Sequence, residues 1–135
     1  MKKAIKCYPN DINDWLSQAE DDLKWAKHDF SGGFYSQVCF IAQQIAEKAL
    51  KAYLLSQEKT VKKTHNLPTL LEQCQKHHRN FSQFIKPGGL LDTYYTETRY
   101  PSLGPKGEYS KEEAEEALVL AKKILQFVKK ELKRG

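Results

Sequence analysis

Apolar side chains recur at the three- and four-residue spacing of an α-helix in three long segments of this chain. The first predicted helix spans about residues 12–30 and ends at a pair of glycines. The second spans about 34–57 and is apolar over more than half of its circumference, which predicts a central position in a helical bundle. The last begins at Ser110, which has capping-box spacing with Glu113, and continues to near the C-terminus.

Shorter elements are predicted between the second and the last helix. Residues 58–65 form a basic loop, and a third helix follows with a proline in its first turn. The run Pro87-Gly88-Gly89 predicts a break, so a short fourth helix is expected over 90–98. Residues 99–109 contain two prolines and two glycines and predict an irregular loop. The predicted fold class is all-α, an antiparallel up-and-down bundle of four to five helices. We expect one domain over 1–135, with its core over about 12–132.

A narrow polar stripe runs along the second helix, opposite its broad apolar arc. The stripe consists of Gln37, Gln44, Lys48 and Lys51, flanked by Gln43 and Glu47. A central helix has little surface left for solvent, so these side chains are candidates for the wall of a ligand-binding cleft. A solvated or dimer-facing surface is the alternative interpretation.

Composition and charge narrow the class of protein. With 40% hydrophobic and 29% charged residues, the chain is typical of a folded globular protein. No apolar run approaches the roughly 18 residues that span a bilayer, and no apolar stretch follows the N-terminal lysines. We therefore expect a cytoplasmic protein without a membrane segment. The net charge of +5 permits an acidic partner or a nucleic acid without demanding one.

Signatures of self-sufficient chemistry are absent from the sequence. It has no phosphate-binding P-loop, no G-x-S-x-G elbow and no H-E-x-x-H helix. His77 and His78 are adjacent, so on a helix they would point about 100° apart and make a poor metal pair. The three cysteines form no C-x-x-C pair, and Cys39 and Cys74 fall at apolar helical positions. No catalytic residue, metal or cofactor is predicted.

The densest polar and aromatic cluster lies at 94–101. There Arg99 could bind a phosphate while an aromatic ring stacks on a base. Alternatively, the arginine ties this loop to the bundle. The candidate partners for such a structural ion pair are Asp22, Glu47 and Glu97.

Several segments together resemble the HEPN family of helical domains. The opening helix carries W-L-x-x-A-E-x-D-L-x-x-A from Trp15, and the central helix carries Q-Q-x-x-E-K-x-x-K-A from Gln43. The third helix opens on T-H-x-L at Thr64, the loop carries R-Y-P at Arg99, and 114–121 fit the final helix. The resemblance covers about residues 12–130.

The resemblance implies a usually dimeric bundle, often encoded beside a minimal nucleotidyltransferase in prokaryotes. Some members are metal-independent ribonucleases and toxins that carry an R-x4-6-H motif at the dimer interface. Others lack the motif and bind nucleotides or RNA, or present substrate to the transferase. In this chain the last histidine is His78, so Arg99 has no downstream histidine to act as a proton shuttle.

We therefore predict a non-catalytic nucleotide- or RNA-binding domain, a homodimer that is the partner subunit of a separate nucleotidyltransferase. A toxin–antitoxin module is one form that this partnership could take. The alternative is a ribonuclease with an altered active site built from Arg99, His65 and Tyr100. The candidate nucleotide-binding residues are Gln44, Lys48, Lys51, Tyr94, Arg99 and Tyr100.

Overall fold

The computed structural model describes residues 11–60, 63–97 and 109–134, and only the backbone of Thr96 and Glu97. Within these residues the chain is helical and contains no strand. The α-helices are α1 (Ile12–Ser31), α2 (Tyr35–Glu58), α3 (Leu67–His77), α4 (Ile85–Glu97) and α5 (Lys111–Arg134), and a 3-10 segment, Arg79–Phe84, joins α3 to α4. The predicted all-α bundle is confirmed. No helix in the described part of the chain is long and apolar enough to cross a membrane.

The first two helices form a hairpin. Asp11 caps α1 by accepting a hydrogen bond from the Asn13 N–H over 2.9 Å. The turn between α1 and α2 contains Gly33 at a φ of +84°, a conformation that favours glycine. Because the turn is this short, α2 returns alongside α1 and packs against it.

Helix α2 is the centre of the bundle, as its broad apolar arc predicts. It packs against α1, α3, α4 and α5. Most of its side chains between Val38 and Leu54 are buried, including four alanines. Small side chains allow neighbouring helices to approach closely, and the buried Ala114, Ala117 and Ala121 do the same on α5.

The predicted break at Pro87-Gly88-Gly89 is wrong, because these residues lie inside α4. Pro87 occupies the first turn, where its missing N–H has no intrahelical partner to lose. A Cβ added at Gly88 would lie 2.5 Å from Leu71 Cδ1. The glycine therefore permits close contact between α4 and α3 instead of ending a helix.

The start of α5 is fixed by a capping box and by contacts to two other helices. The Ser110 N–H donates to Glu113 Oε1 over 2.8 Å, and the Glu113 N–H donates to Ser110 Oγ over 3.1 Å. The Tyr109 N–H donates to Ser36 Oγ on α2 over 2.9 Å. The Tyr109 ring meets the Tyr94 ring of α4 edge-on, with the ring centroids 4.8 Å apart. The predicted loop before this point, 99–108, lies outside the described residues.

Candidate functional site

Part of the polar stripe of α2 is turned into the protein. Gln43, Glu47 and Lys51 are 0%, 4% and 1% exposed, while Gln44 and Lys48 are partly exposed. Burying charged side chains is costly unless they are paired and hydrogen-bonded. The buried part of the stripe therefore needs groups that neutralise it.

Glu47 is the centre of this cluster. Its carboxylate accepts a hydrogen bond from Lys51 Nζ over 3.0 Å. The Nδ1 atom of His65 lies 3.1 Å and 3.0 Å from the two carboxylate oxygens. On the other side, Lys51 Nζ lies 5.4 Å from the centroid of the Trp15 ring, within the range of a cation–π contact. These contacts compensate both buried charges.

His65 is held in place at several points although its side chain is 56% exposed. Its backbone oxygen accepts from Gln43 Nε2 over 3.0 Å, and its ring stacks on Tyr95 with centroids 4.9 Å apart and planes 16° apart. A carboxylate only accepts hydrogen bonds, so Nδ1 carries the hydrogen that faces Glu47. Among the described residues none hydrogen-bonds to Nε2, which therefore remains able to accept or donate toward a ligand.

The cluster extends to the start of α3 and to the middle of α4. Asp92 of α4 accepts from the Leu67 N–H over 2.9 Å and from Gln43 Nε2 over 3.4 Å. Asn66 caps α3 by accepting from the Thr69 N–H over 2.8 Å. The segment that carries His65 is therefore fixed to both α2 and α4.

Gln44 and Lys48 form the rim of the cluster. Gln44 Nε2 donates to Gln43 Oε1 over 2.7 Å, and Lys48 Nζ donates to Asp22 on α1 over 2.7 Å. The side chains of Lys48 and Asp22 are 20% and 15% exposed. Asp22 thus pairs with a lysine of the central helix, and Glu47 pairs with Lys51 and His65. The predicted ion pair of Asp22 or Glu47 with Arg99 stays a prediction, because Arg99 lies outside the described part of the chain.

The structure does not bring all of the sequence-predicted residues together. Tyr94 is 7% exposed and faces α5, whereas its neighbour Tyr95 contacts His65. Arg99 and Tyr100 lie outside the described residues, so their ligand roles stay predictions. Lys51 is enclosed, and in this arrangement it holds Glu47.

Sequence reasoning missed Tyr95 and Asp92, and considered His65 only for the alternative function. Tyr95 follows Asp92 by three residues, so a helical projection of α4 would have placed the two on one face. Nothing local connects Asp92 with Gln43, because 49 residues separate them.

A groove between α4 and α5 is the second notable surface. It has a volume of about 460 Å³. Leu90 and Val119 on this groove are 60% and 45% exposed. It is lined by Pro87, Leu90, Leu91, Tyr94, Glu112, Glu115, Glu116, Ala117, Val119, Leu120 and Lys123.

The two buried cysteine thiols are poor candidates for chemistry. Burial, assisted by the carboxylate of Glu113, raises the pKa of Cys39 to about 12. Burial also raises the pKa of Cys74, with a smaller contribution from Glu58. A protonated thiol is a poor nucleophile and a poor metal ligand, so neither cysteine contributes to a site at neutral pH.

Comparison with known proteins relates this chain to a family. The family model described as HEPN domain matches residues 12–132. The crystal structure of TT1696 from Thermus thermophilus is similar at a TM-score of 0.82 and 39% identity, over 90% of this chain and 98% of that one. The structure of ST0689, an archaeal HEPN homologue, is similar at a TM-score of 0.75 and 34% identity, over 91% of this chain and 98% of that one. No curated protein sequence matches the chain.

Proposed function

The chain therefore belongs to the HEPN domain family, and we propose that it is a non-catalytic nucleotide- or RNA-binding domain that serves as the partner subunit of a separate nucleotidyltransferase. Its ligand is a phosphate-bearing nucleotide or a single-stranded RNA. Its working form is a homodimer in the cytoplasm.

The polar cluster around Glu47 is the observation that carries the binding proposal. It combines a buried, neutralised ion pair with an exposed edge where Gln44, Lys48 and His65 reach the surface. The Glu47–Lys51 pair places no net charge beneath that edge, so it does not repel a phosphate. Tyr95 adds an aromatic ring two residues before the end of α4, and Arg99 follows shortly afterwards in the sequence.

Two features of the sequence support a binding role and a separate transferase. Arg99 has no histidine after it, so the R-x4-6-H pair of the ribonuclease members is missing. The chain also lacks the G-S-x-x-D-x-D signature that nucleotidyl transfer would need. The transferase chemistry then belongs to another polypeptide.

Calorimetric titration tests the binding proposal. ATP, GTP, AMP and a short single-stranded RNA are titrated into the wild-type protein, Arg99→Ala and Arg134→Ala. Arg134 is a suitable control because its side chain is 66% exposed on the last helix. We expect one of these ligands to bind and Arg99→Ala to weaken it about tenfold or more, the loss of one charge-assisted contact. Equal affinity for wild type and Arg99→Ala would contradict the assignment of Arg99.

The transferase partnership has its own test. We expect the gene next to this one to encode a minimal nucleotidyltransferase, and the two proteins to co-purify when they are expressed together. A neighbouring gene of another class, or no complex between the two purified proteins, would remove this part of the proposal.

The groove between α4 and α5 supports the homodimer. Leu90 and Val119 are apolar and exposed beside it, and a symmetric dimer would bury both copies of such a surface. Light scattering at micromolar concentration should give twice the monomer mass, and Leu90→Glu should shift it toward the monomer. A monomeric wild-type protein would contradict this proposal.

A second candidate function is favoured by the pairing of His65 with Glu47. A histidine whose Nδ1–H faces a buried carboxylate has its Nε2 positioned to take a proton, as a ribonuclease base would from a ribose 2′-hydroxyl. Incubation of RNA with a high concentration of the protein tests this alternative. Cleavage that His65→Ala abolishes would support it, and intact RNA after prolonged incubation would exclude it.

A further inference from the structure

We infer that the outward face of the His65 imidazole is a stacking platform for an unpaired nucleobase. This inference depends on the proposed binding function and specifies how the ligand is held. Nucleobases stack on aromatic side chains largely regardless of base identity, because every base presents a π-face.

His65 packs against another aromatic ring on one side. Its ring lies almost parallel to Tyr95, with planes 16° apart and centroids 4.9 Å apart. Tyr95 stacks in turn with Phe40 of α2, with planes 27° apart and centroids 5.8 Å apart. Tyr95 is therefore fixed against the bundle, and it supports one face of the imidazole.

More than half of the His65 side chain remains exposed. Tyr95 covers one ring face and Glu47 occupies the Nδ1 edge, yet the His65 side chain is still 56% exposed. The face opposite Tyr95 and the Nε2 edge are the parts of the ring that neither Tyr95 nor Glu47 covers. A flat aromatic surface open on one side is the geometry that a stacked base requires.

The His65 ring is held in position by its neighbours in the protein. A surface side chain normally loses rotamer freedom when a ligand orders it, and that loss weakens binding. Here Glu47 holds the ring, Gln43 holds the His65 backbone oxygen at 3.0 Å, and Tyr95 supports the ring face. The platform is ordered before the ligand arrives.

The surroundings of His65 are polar. Gln44 and Lys48 are partly exposed on the same helix as Glu47, and Lys51 neutralises Glu47 from below. A base on His65 would thus lie near Gln44, whose Nε2 donates to the same Glu47 carboxylate that His65 contacts, a polar neighbour that tolerates a sugar–phosphate backbone. A purely apolar ligand would find few partners at this edge.

The test uses a single-stranded RNA octamer that contains 2-aminopurine, whose fluorescence falls when the base stacks. Anisotropy of an end-labelled copy gives affinity, and quenching of 2-aminopurine reports stacking. The variants are His65→Ala, which removes the ring, and His65→Phe, which keeps a ring but loses both nitrogens. His28→Ala, at an exposed position on α1, is the matched control.

We expect the wild-type protein to bind and quench the probe, and His28→Ala to match it. His65→Ala should weaken binding about tenfold or more and lose the quenching, in line with the loss of one base stack. His65→Phe should stay within about threefold of wild type and keep the quenching. The melting temperature of each variant is measured alongside, so that a loss caused by unfolding is recognised.

The outcomes separate this inference from the function on which it depends. If the wild-type protein binds the RNA and His65→Ala binds equally well, the platform is overturned and the binding function stands. If His65→Phe is as weak as His65→Ala, an aromatic face at this position does not hold the ligand, and the platform is again overturned. If the wild-type protein binds neither RNA nor nucleotide, both proposals fail. Quenching by the wild-type protein is itself a readout that needs no variant.

Discussion

Lys51 donates a hydrogen bond to Glu47 across 3.0 Å, one helical turn apart on the central helix, although the two side chains are only 2% and 5% exposed. Surface pairs of this spacing are common and contribute little to stability. A buried pair differs because removal of one partner leaves an uncompensated charge away from water. In this protein the same pair also anchors His65, so the integrity of the core and the geometry of the candidate site depend on one carboxylate.

Replacement of Lys51 should therefore destabilise the protein strongly. We expect Lys51→Met to lower the free energy of unfolding by about 3 kcal/mol, since Glu47 would keep a buried charge without its amine. Urea unfolding followed by circular dichroism measures the change. The exposed Lys130→Met is the control, expected within about 0.5 kcal/mol of wild type. Adding Glu47→Gln to Lys51→Met should recover part of the loss; equal stability of the two lysine variants would contradict this account.

Gly88 and Gly89 make a matched pair of positions in α4. A Cβ at Gly88 would lie 2.5 Å from Leu71 Cδ1, whereas nothing lies within 4 Å of a Cβ at Gly89. We expect Gly88→Ala to destabilise by about 1 to 3 kcal/mol through overpacking against the fully buried Leu71. Gly89→Ala should stabilise by about 0.5 to 1 kcal/mol, because alanine loses less conformational entropy in a helix.

Thermal unfolding of the two glycine variants checks the direction of each predicted change in stability. The combination of Gly88→Ala with Leu71→Ala should be less destabilised than the sum of the single changes, because the clash then disappears. Similar shifts for Gly88→Ala and Gly89→Ala would show that the contact with Leu71 is not what requires glycine.

The ion pair between Asp22 and Lys48 joins α1 to α2 and is only partly exposed. We expect a coupling energy of about 1 kcal/mol between the two side chains, at the upper end of the range for exposed pairs. A double-mutant cycle with Asp22→Asn and Lys48→Met, followed by urea unfolding, measures it. Single changes that simply add would show that the pair contributes nothing.

The buried cysteines should be unreactive in the folded protein. With a pKa of about 12, Cys39 is thiolate in roughly one molecule in ten thousand at pH 8, and burial raises the pKa of Cys74 as well. We expect a thiol reagent to label both only as fast as the protein unfolds, so labelling should be slow in native buffer and rapid in urea. The measurement uses a Cys7→Ser background, because Cys7 lies outside the described residues. Equal labelling rates in native buffer and in urea would contradict the prediction.

The same thiols make stability fall in alkali. Burial raises the pKa values of Cys39 and Cys74 in the folded protein. The stability that these two protonated thiols contribute is therefore complete below the ordinary cysteine pKa near 8.5 to 9, and it is lost as pH rises toward 12. In that window the unfolded chain binds fewer protons than the folded one. Urea midpoints measured from about pH 8 to about pH 11 should therefore decrease. A midpoint that rises over this range would count against the assignment.

The sequence alone determined the features that depend on neighbouring residues. The three long helices follow from periodic apolar positions, and Ser110 with Glu113 marks the start of α5 because both hydrogen bonds of the cap lie within three residues. The central place of α2 also follows from its own composition. These interactions are local, so the order of residues is enough to predict them.

Only the tertiary structure decided what happens where distant segments meet. Pro87-Gly88-Gly89 resembles a break in sequence, yet these residues lie inside α4, where the glycine at position 88 permits close contact with Leu71 of α3. The polar stripe of α2 has a buried part because His65, 18 residues from Glu47, and Asp92, 49 residues from Gln43, come to satisfy it. Whether a polar residue faces water or a partner depends on such long-range contacts, which a local pattern does not contain. The chain's own periodicity thus predicts the helices, and their packing forms the candidate site.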